Sequence, residues 1–154
     1  MNARSESSTP VYPPTYVLLA VVLMVGLHFL APVRQIISGP YRFLGVIPMA
    51  AGLAVVLWAA GTFRRAGTTI RPFEKSSALV AQGLYRLTRN PIYLGMVCSL
   101  LGVAAVAGSV TPFLVVPAFA YLIDRRFIRA EETLLEQTFG AQYVAYKANV
   151  RRWL

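Results

Sequence analysis

Three long runs of apolar residues without a charge dominate the pattern of this chain. The first run extends from Val11 to Val33, the second from Phe43 to Phe63 and the third from Pro91 to Ile123. Because a bilayer core about 30 Å thick needs about 20 apolar residues per helix, the first two runs each predict one membrane-spanning helix. The third run is too long for one span and short for two, so it predicts a short helical hairpin.

The turn of this hairpin is predicted at residues 108–112. Gly108 is flexible there, and Pro112 fits the first turn of a new helix. Each arm then has about 16 residues, a length of about 24 Å at 1.5 Å per residue. The two helices therefore either project into their charged flanks or form a re-entrant pair, and both arrangements return the chain to the side it left.

After the hairpin, the stretch from Asp124 to Phe139 alternates charged and apolar residues at helical spacing. On a helical wheel of 100° per residue, Asp124 and Glu131 lie inside the apolar arc and Glu132 lies on its edge. Inward carboxylates near a membrane are costly unless they are paired or used. They either form an ion network with arginines of the preceding loop, or face a pocket for a cation or a hydroxyl-rich ligand.

A second group of polar and small residues lies in the loop before the hairpin. It comprises Gly83, Tyr85, Arg86, Arg89, Asn90, Pro91, Tyr93 and Gly95. Asn90 and Pro91 are predicted to form the N-cap and first residue of the third helix, whose free amides can hold an anion. Arg89 adds a charged donor and Tyr93 an aromatic face. The same pattern is also typical of a loop that enters a membrane helix with arginines at the lipid phosphates, and Arg86 or Arg89 could equally pair with the inward acids.

Composition and charge agree with a membrane protein. Of 154 residues, 56% are hydrophobic and 14% are charged, against about 25% charged in ordinary soluble domains. This bias excludes intrinsic disorder. Thirteen of the fifteen Lys and Arg residues lie in the N-terminal tail, the second loop and the C-terminal segment, and only Arg34 and Arg42 lie in the first loop. The positive-inside rule therefore predicts cytoplasmic termini, and the net charge of +9 requires no nucleic acid.

The remaining candidate groups predict little further chemistry. His28 is expected to form a hydrogen bond near the outer interface, and the single cysteine, Cys98, is expected to serve packing. One histidine and one cysteine predict no metal site. Because four spans leave too few residues for a Rossmann domain, we expect a single domain, residues 1–154, with any active site built from cytoplasmic loops and helix ends.

The two polar groups, in this order, resemble the membrane methyltransferases of the isoprenylcysteine carboxyl methyltransferase and phospholipid methyltransferase group. The resemblance extends from Leu79 to Leu154 and rests on Gly83-Leu84-Tyr85-Arg86, Arg89-Asn90-Pro91-Ile92-Tyr93-Leu94-Gly95, Glu131-Glu132-Thr133-Leu134-Leu135, Phe139-Gly140, Tyr143, Tyr146 and Arg152-Trp153-Leu154. The usual family pattern has His at the position of Asn90. This difference removes a titratable side chain but keeps a hydrogen-bonding group.

The resemblance implies that S-adenosylmethionine binds at the cytoplasmic ends of the last two spans and leaves as S-adenosylhomocysteine. Its amino group and ribose hydroxyls would contact Glu131 and Glu132, its carboxylate Arg89 or the amides after Asn90, and its adenine Tyr85 or Tyr93. The candidate cofactor-binding residues are thus Gly83, Tyr85, Arg89, Asn90, Pro91, Tyr93, Glu131 and Glu132, and the candidate catalytic residues are Arg86, Arg89 and Glu132. Arg71 or Arg86 could hold a carboxylate or thiolate acceptor, whereas an amine acceptor would need an acid to remove a proton.

The expected protein is therefore an all-α integral membrane protein with about four transmembrane helices, the last two a short hairpin, and a C-terminal cytoplasmic amphipathic helix. Residues 1–78 form the scaffold spans, and residues 79–154 form the cofactor-binding half. The expected function is methyl transfer to a lipophilic or membrane-embedded acceptor. Two alternatives stay open: an NADPH-dependent membrane reductase of related fold, and a non-enzymatic four-helix membrane interaction protein.

Overall fold

The computed structural model describes residues 12–67 and 77–154, and this part of the chain is helical without a strand. Its α-helices are α1 (Pro13–Leu30), α2 (Val46–Arg65), α3 (Pro91–Ala107), α4 (Val110–Ile123), α5 (Arg129–Phe139) and α6 (Ala141–Asn149). Two 3-10 helices, at Gly39–Gly45 and Gly83–Arg86, precede α2 and α3, and a π-helical turn at Asp124–Ile128 joins α4 to α5. The prediction of an all-α fold is confirmed.

The first two predicted spans correspond to α1 and α2. The α1 helix ends at Leu30 because the next residue, Ala31, precedes Pro32 and leaves the helical conformation. The α2 helix begins three residues later than the predicted boundary at Phe43, since the preceding 3-10 helix extends to Gly45. By length and composition, α1 and the helical stretch that contains α2 could each cross a membrane.

The α3 and α4 helices form the predicted hairpin with a tighter turn than expected. Gly108 follows α3 in the left-handed conformation, with φ at +76°, which glycine adopts without steric cost. The α4 helix begins at Val110, two residues before Pro112. The turn therefore consists of Gly108 and Ser109, and the arms contain 17 and 14 residues.

The far end of the bundle is held together by hydrogen bonds to this turn. The amides of Ile36 and Ile37 donate to the Gly108 carbonyl over 2.8 and 3.0 Å. The Nδ1 atom of His28 lies 2.8 Å from the hydroxyl of Ser109, which is fully buried. The hydrogen bond predicted for His28 is therefore present, and its partner is the hairpin turn.

The α3 helix packs against α1, α2 and α4, and its contact with α2 is unusually close. Small residues allow this approach: a Cβ atom on Gly95 would lie 2.6 Å from the Gly52 carbonyl oxygen, and one on Gly45 would lie 2.6 Å from the Gly102 carbonyl oxygen. At both glycine pairs the backbones of the two elements lie directly against each other. Gly95, which the sequence pattern marks as a point of close backbone approach, therefore serves helix packing.

Replacing Gly102 by Ala should lower the free energy of unfolding by about 1–3 kcal/mol, the usual cost of overpacking. The added methyl carbon would lie 2.6 Å from the Met49 amide nitrogen, so the two helices must move apart. Gly61 in α2 is the matched control, since a Cβ atom there meets nothing within 4 Å. Thermal unfolding in detergent should show a loss for Gly102→Ala only, and an equal loss at both positions would contradict the proposed role of this contact.

The outward surfaces of α1 and α2 are apolar. Exposed side chains include Leu18, Val22 and Leu30 on α1 and Leu53 and Leu57 on α2. A surface helix of a soluble protein places polar residues opposite its buried face, whereas these helices are apolar on both faces. Their surfaces therefore suit lipid, in agreement with a membrane protein.

The π-helical turn changes the orientation of the helix that follows it. A π turn contains one residue more per hydrogen-bonded turn than an α turn, so later side chains are rotated by about one residue, about 100°, relative to α4. Glu132, expected on the edge of the apolar arc, is buried, and Glu131, expected inside it, is half-buried. Both acids thus lie on the inward side of α5, and Glu132 is the more buried of the two.

Candidate active site

Three segments meet at the N-terminal end of α3: the loop that precedes this helix, the acidic turn of α5, and the C-terminal residues after α6. The loop is bonded directly to the C-terminal segment. The Arg89 amide donates to the Arg151 carbonyl over 2.9 Å, and the Thr88 hydroxyl and Asn90 side-chain amide both donate to the Arg152 carbonyl over 3.0 Å. The C-terminal segment is therefore part of the site.

Arg89 and Glu132 form a buried ion pair at the centre of this region. Nη2 of Arg89 lies 2.8 Å from Oε1 of Glu132, and the two side chains are only 10% and 12% exposed. Nη1 of Arg89 donates to the carbonyls of Lys147 and Val150 over 3.0 and 3.1 Å. Its buried Nε has no hydrogen-bond partner in the part of the chain that the structure describes. Most donors of Arg89 thus hold the protein together.

Arg152 extends this ion pair into a network. Its Nη2 lies 2.6 Å from Oε2 of Glu132, and its Nη1 lies 3.3 Å from Oδ1 of Asp124. Asp124 is also bonded to Arg129 over 2.8 Å. The hydrogen bonds that Arg152 donates to the Glu132 carboxylate raise the pKa of its guanidinium. We define Arg89, Asp124, Arg129, Glu132 and Arg152 as the ion network.

Glu131 lies next to this network but has a different environment. Its Oε1 accepts a hydrogen bond of 2.6 Å from the Tyr93 hydroxyl, and no ion pair to it occurs within residues 12–67 and 77–154. Burial raises the pKa of Glu131 to about 7, because a carboxylate loses hydration without gaining a cation. Glu131 is thus the inward acid available to a cationic ligand.

Asn90 occupies the predicted N-cap position of α3, with Pro91 as the first helical residue. The predicted N-cap and first-residue positions are therefore confirmed. The Asn90 side chain donates to the Arg152 carbonyl and makes no bond to the helix, so the first amides of α3 are left without a side-chain cap.

Tyr85 and Gly83 lie in the 3-10 helix beside this site. The Tyr85 ring packs edge-on against Phe63, with the ring centroids 5.4 Å apart, and burial raises the pKa of its hydroxyl above the usual value. Its backbone carbonyl accepts a bond of 2.6 Å from Tyr146. Gly83 lies beside the Trp58 ring and has a φ of +59°. This left-handed backbone conformation favours glycine at the turn.

Arg86 is exposed, with no ion pair to any acid in the described segments. The expected network of inward acids and loop arginines therefore forms through Arg89, and the suggestion that Arg86 takes part in it is wrong. The 3-10 helix turns the Arg86 side chain away from α5. Arg71, the other predicted acceptor-binding arginine, lies outside the described residues.

Sequence reasoning missed the role of Arg152. This residue lies in the Arg-Trp-Leu group that carries part of the family resemblance, yet only the structure shows that it reaches both Asp124 and Glu132. Trp153, the next residue, packs against the main apolar core. The available signal in the sequence is the pair Arg152-Trp153, which follows Tyr143 and Tyr146 in the C-terminal segment.

Comparison with known proteins shows which family the chain is similar to. The family model described as phospholipid methyltransferase matches residues 40–142, well over half of the chain. An uncharacterized protein of Haemophilus influenzae is 40% identical over 63 residues, 41% of this chain and 100% of its own length. Protein-S-isoprenylcysteine O-methyltransferase A of Arabidopsis thaliana is 37% identical over 81 residues, 51% of this chain and 40% of its own length.

No solved structure matches the chain. The family match covers α2, the loop before α3, the hairpin and the acidic turn of α5. These are the elements that carry the polar groups on which the resemblance rests, so the resemblance is confirmed. The chain belongs to the phospholipid methyltransferase family, and it is an enzyme of the membrane methyltransferase class.

Proposed function

We propose that this protein transfers a methyl group from S-adenosylmethionine to a lipophilic acceptor at the membrane face that carries Asn90 and α5. The observation that supports this most directly is that the three inward acids have different bonding partners. Asp124 and Glu132 are bonded to arginines, whereas the hydrogen bond that Glu131 receives within residues 12–67 and 77–154 comes from the Tyr93 hydroxyl. A half-buried carboxylate without a cation fits the amino group of this methyl donor.

The other residues around Glu131 also fit the donor. The amides at the start of α3 are free of an Asn90 cap and could hold its carboxylate. Arg89 uses three of its five side-chain N–H groups on Glu132, Lys147 and Val150, so it could add a further donor to this carboxylate. The rings of Tyr85 and Tyr93 are buried nearby and offer the aromatic wall expected for an adenine.

S-adenosylmethionine would supply a methyl group on a positively charged sulfur. The acceptor atom would attack the methyl carbon in line with the carbon–sulfur bond, which breaks to release S-adenosylhomocysteine. The protein must then align the acceptor and exclude water, with no covalent intermediate. Arg86 is exposed and has no ion pair within the described residues, so it could hold a carboxylate or thiolate acceptor. We infer a positioning role for Glu132, since both of its carboxylate oxygens bind arginines. Direct contact of Glu132 with the donor or the acceptor stays a prediction.

Calorimetry on the full chain in detergent tests this proposal. S-adenosylhomocysteine should bind at micromolar concentration, and NADPH should give no saturable heat. Transfer of radiolabelled methyl into a lipid extract would then identify the acceptor class. Binding of NADPH alone would favour the reductase, and binding of neither compound would favour the non-enzymatic alternative, so either result contradicts the proposal.

We also propose four membrane-crossing segments, α1 to α4, with both termini in the cytoplasm. Residues 1–78 are then the scaffold half and residues 79–154 the donor-binding half. The distribution of Lys and Arg supports this orientation. It also fits the separation of the ion network, at the start of α3, from the hairpin turn at its other end.

Cysteine labelling in intact cells tests the topology. Ser109 in the hairpin turn is fully buried and would be a poor labelling position. Exposed Tyr41 tests the same side of the membrane, and exposed Leu87 tests the opposite side. In a Cys98→Ala background, Tyr41→Cys should react with a membrane-impermeant maleimide, and Leu87→Cys should react only after permeabilisation. The reverse pattern would contradict the orientation, and labelling of both in intact cells would contradict the spanning arrangement.

A further inference from the structure

A groove lies at the opposite end of the bundle from the ion network and belongs to no part of the proposed active site. It encloses about 260 Å³ between α1, the first 3-10 helix and α3. Met24 and Phe29 form one wall, Arg42 and Phe43 form the other, and Val106 and Ala107 form the floor. The lining is apolar except for the charged group at the rim and for His28, which is bonded to Ser109.

Arg42 is the feature that distinguishes this groove from an ordinary apolar cleft. Its guanidinium lies over the Phe43 ring, 5.2 Å from the centroid, and its side chain is exposed. The acids that the structure describes, Asp124, Glu131, Glu132 and Glu136, all lie on or next to α5, at the other end of α3. Arg42 therefore has no acidic partner within the described residues, and its guanidinium is available to an external anion.

The position of the groove decides which anion fits. It lies on a chain whose α1 and α2 surfaces suit lipid, so the molecules around it are lipids. Val106 and Ala107 lie about fifteen residues beyond the start of α3, about 23 Å along the helix axis. That distance is too long for a methyl transfer at Glu131, so a molecule in the groove is not the reacting acceptor.

We propose that this groove binds an anionic phospholipid, with one acyl chain along the apolar floor and the phosphate on Arg42. A volume of about 260 Å³ is below the usual range for a complete ligand pocket, and it suits one chain of a lipid whose remainder stays in the bilayer. A phosphate near an interfacial arginine gains favourable electrostatic energy. The site is independent of the proposed methyl transfer.

Native mass spectrometry of the full chain in mild detergent can test the site. Phosphatidylglycerol should be retained more strongly than diacylglycerol with the same acyl chains. Arg42→Gln should weaken phosphatidylglycerol retention about fivefold, the effect of one arginine at a lipid surface. Val106→Trp, which fills the floor, should remove retention of both lipids. Exposed Arg65 at the other end of α2 provides the control, and Arg65→Gln should retain phosphatidylglycerol as the parent does.

Each other outcome overturns the proposal. Equal retention of the two lipids, or no change in Arg42→Gln, would show that Arg42 does not hold a phosphate. An equal loss in Arg65→Gln would indicate general attraction to basic residues. Displacement of the lipid by S-adenosylhomocysteine would place it in the active site. The variants should keep the unfolding temperature and S-adenosylhomocysteine affinity of the parent, which separates failure of this site from failure of the proposed function.

Discussion

Replacing Glu131 by Gln should lower the affinity for S-adenosylhomocysteine by at least about tenfold, while the protein stays folded. A hydrogen bond to a charged group contributes about 1.5–3 kcal/mol, and Glu131 is the inward acid without an arginine partner. Gln keeps the size of the side chain and can still accept from the Tyr93 hydroxyl. Calorimetry should therefore show lost binding with an unfolding temperature at or above that of the parent, because Gln has no charge to bury.

Glu136 is the control for this variant. It lies on the same helix, but its carboxylate is exposed and pairs with Lys147 over 2.7 Å. Glu136→Gln should bind S-adenosylhomocysteine as the parent does. Equal loss at both positions would indicate a general charge effect of α5, and full binding by Glu131→Gln would remove the main support for the donor site.

The pKa of Glu131 gives the same prediction a pH dependence. Burial raises this pKa to about 7, so the carboxylate form that attracts an ammonium group is lost as the pH falls through this value. Affinity should fall by up to tenfold per pH unit below about pH 7, as expected for one linked proton. Glu131→Gln should lack this dependence between pH 6 and 8.

Stability should change in the opposite direction with pH. Between the unfolded pKa of 4.5 and the folded pKa of about 7, the native state binds a proton at Glu131 that the unfolded state does not. The contribution of this group to stability therefore decreases as the pH rises through that window. Comparison of unfolding temperatures should show this slope in the parent protein and its loss in Glu131→Gln.

Much of the fold could be predicted because membrane helices leave a strong signal in one sequence. Uncharged runs located α1, α2 and the hairpin, and Gly108 located the turn within two residues. The inward direction of the acids on α5 was also predictable, since these charged residues fall inside or on the edge of the apolar arc of the helical wheel. These features depend on local composition and spacing.

The details of the site depend on contacts that local spacing does not contain. Glu132 rather than Glu131 takes the buried position between two arginines. Arg152 reaches this acid from 20 residues further along the chain. The Asn90 side chain bonds to the same C-terminal segment instead of capping α3. Pairing across such separations is decided by the packing of α5 and α6, which one sequence does not specify.

Replacing Glu132 by Gln should have the largest effect on stability. Removing one partner of a buried ion pair costs about 3–5 kcal/mol, because the other charge stays buried without compensation. Here Arg89 and Glu132 are 10% and 12% exposed, and Arg152 loses its shortest bond to the same carboxylate. At about 2–4 °C per kcal/mol for a protein of this size, the unfolding temperature should fall by at least about 6 °C.

Glu136→Gln again provides the control, because its pair with Lys147 is 45% and 39% exposed and such surface pairs contribute about 0–1 kcal/mol. Its unfolding temperature should change by no more than about 4 °C. Glu131→Gln should lose ligand binding without a loss of stability, whereas Glu132→Gln should lose stability first. If Glu132→Gln instead unfolds like the parent but fails to bind S-adenosylhomocysteine, then Glu132 contacts the donor directly, and its arginine bonds must open when the donor binds.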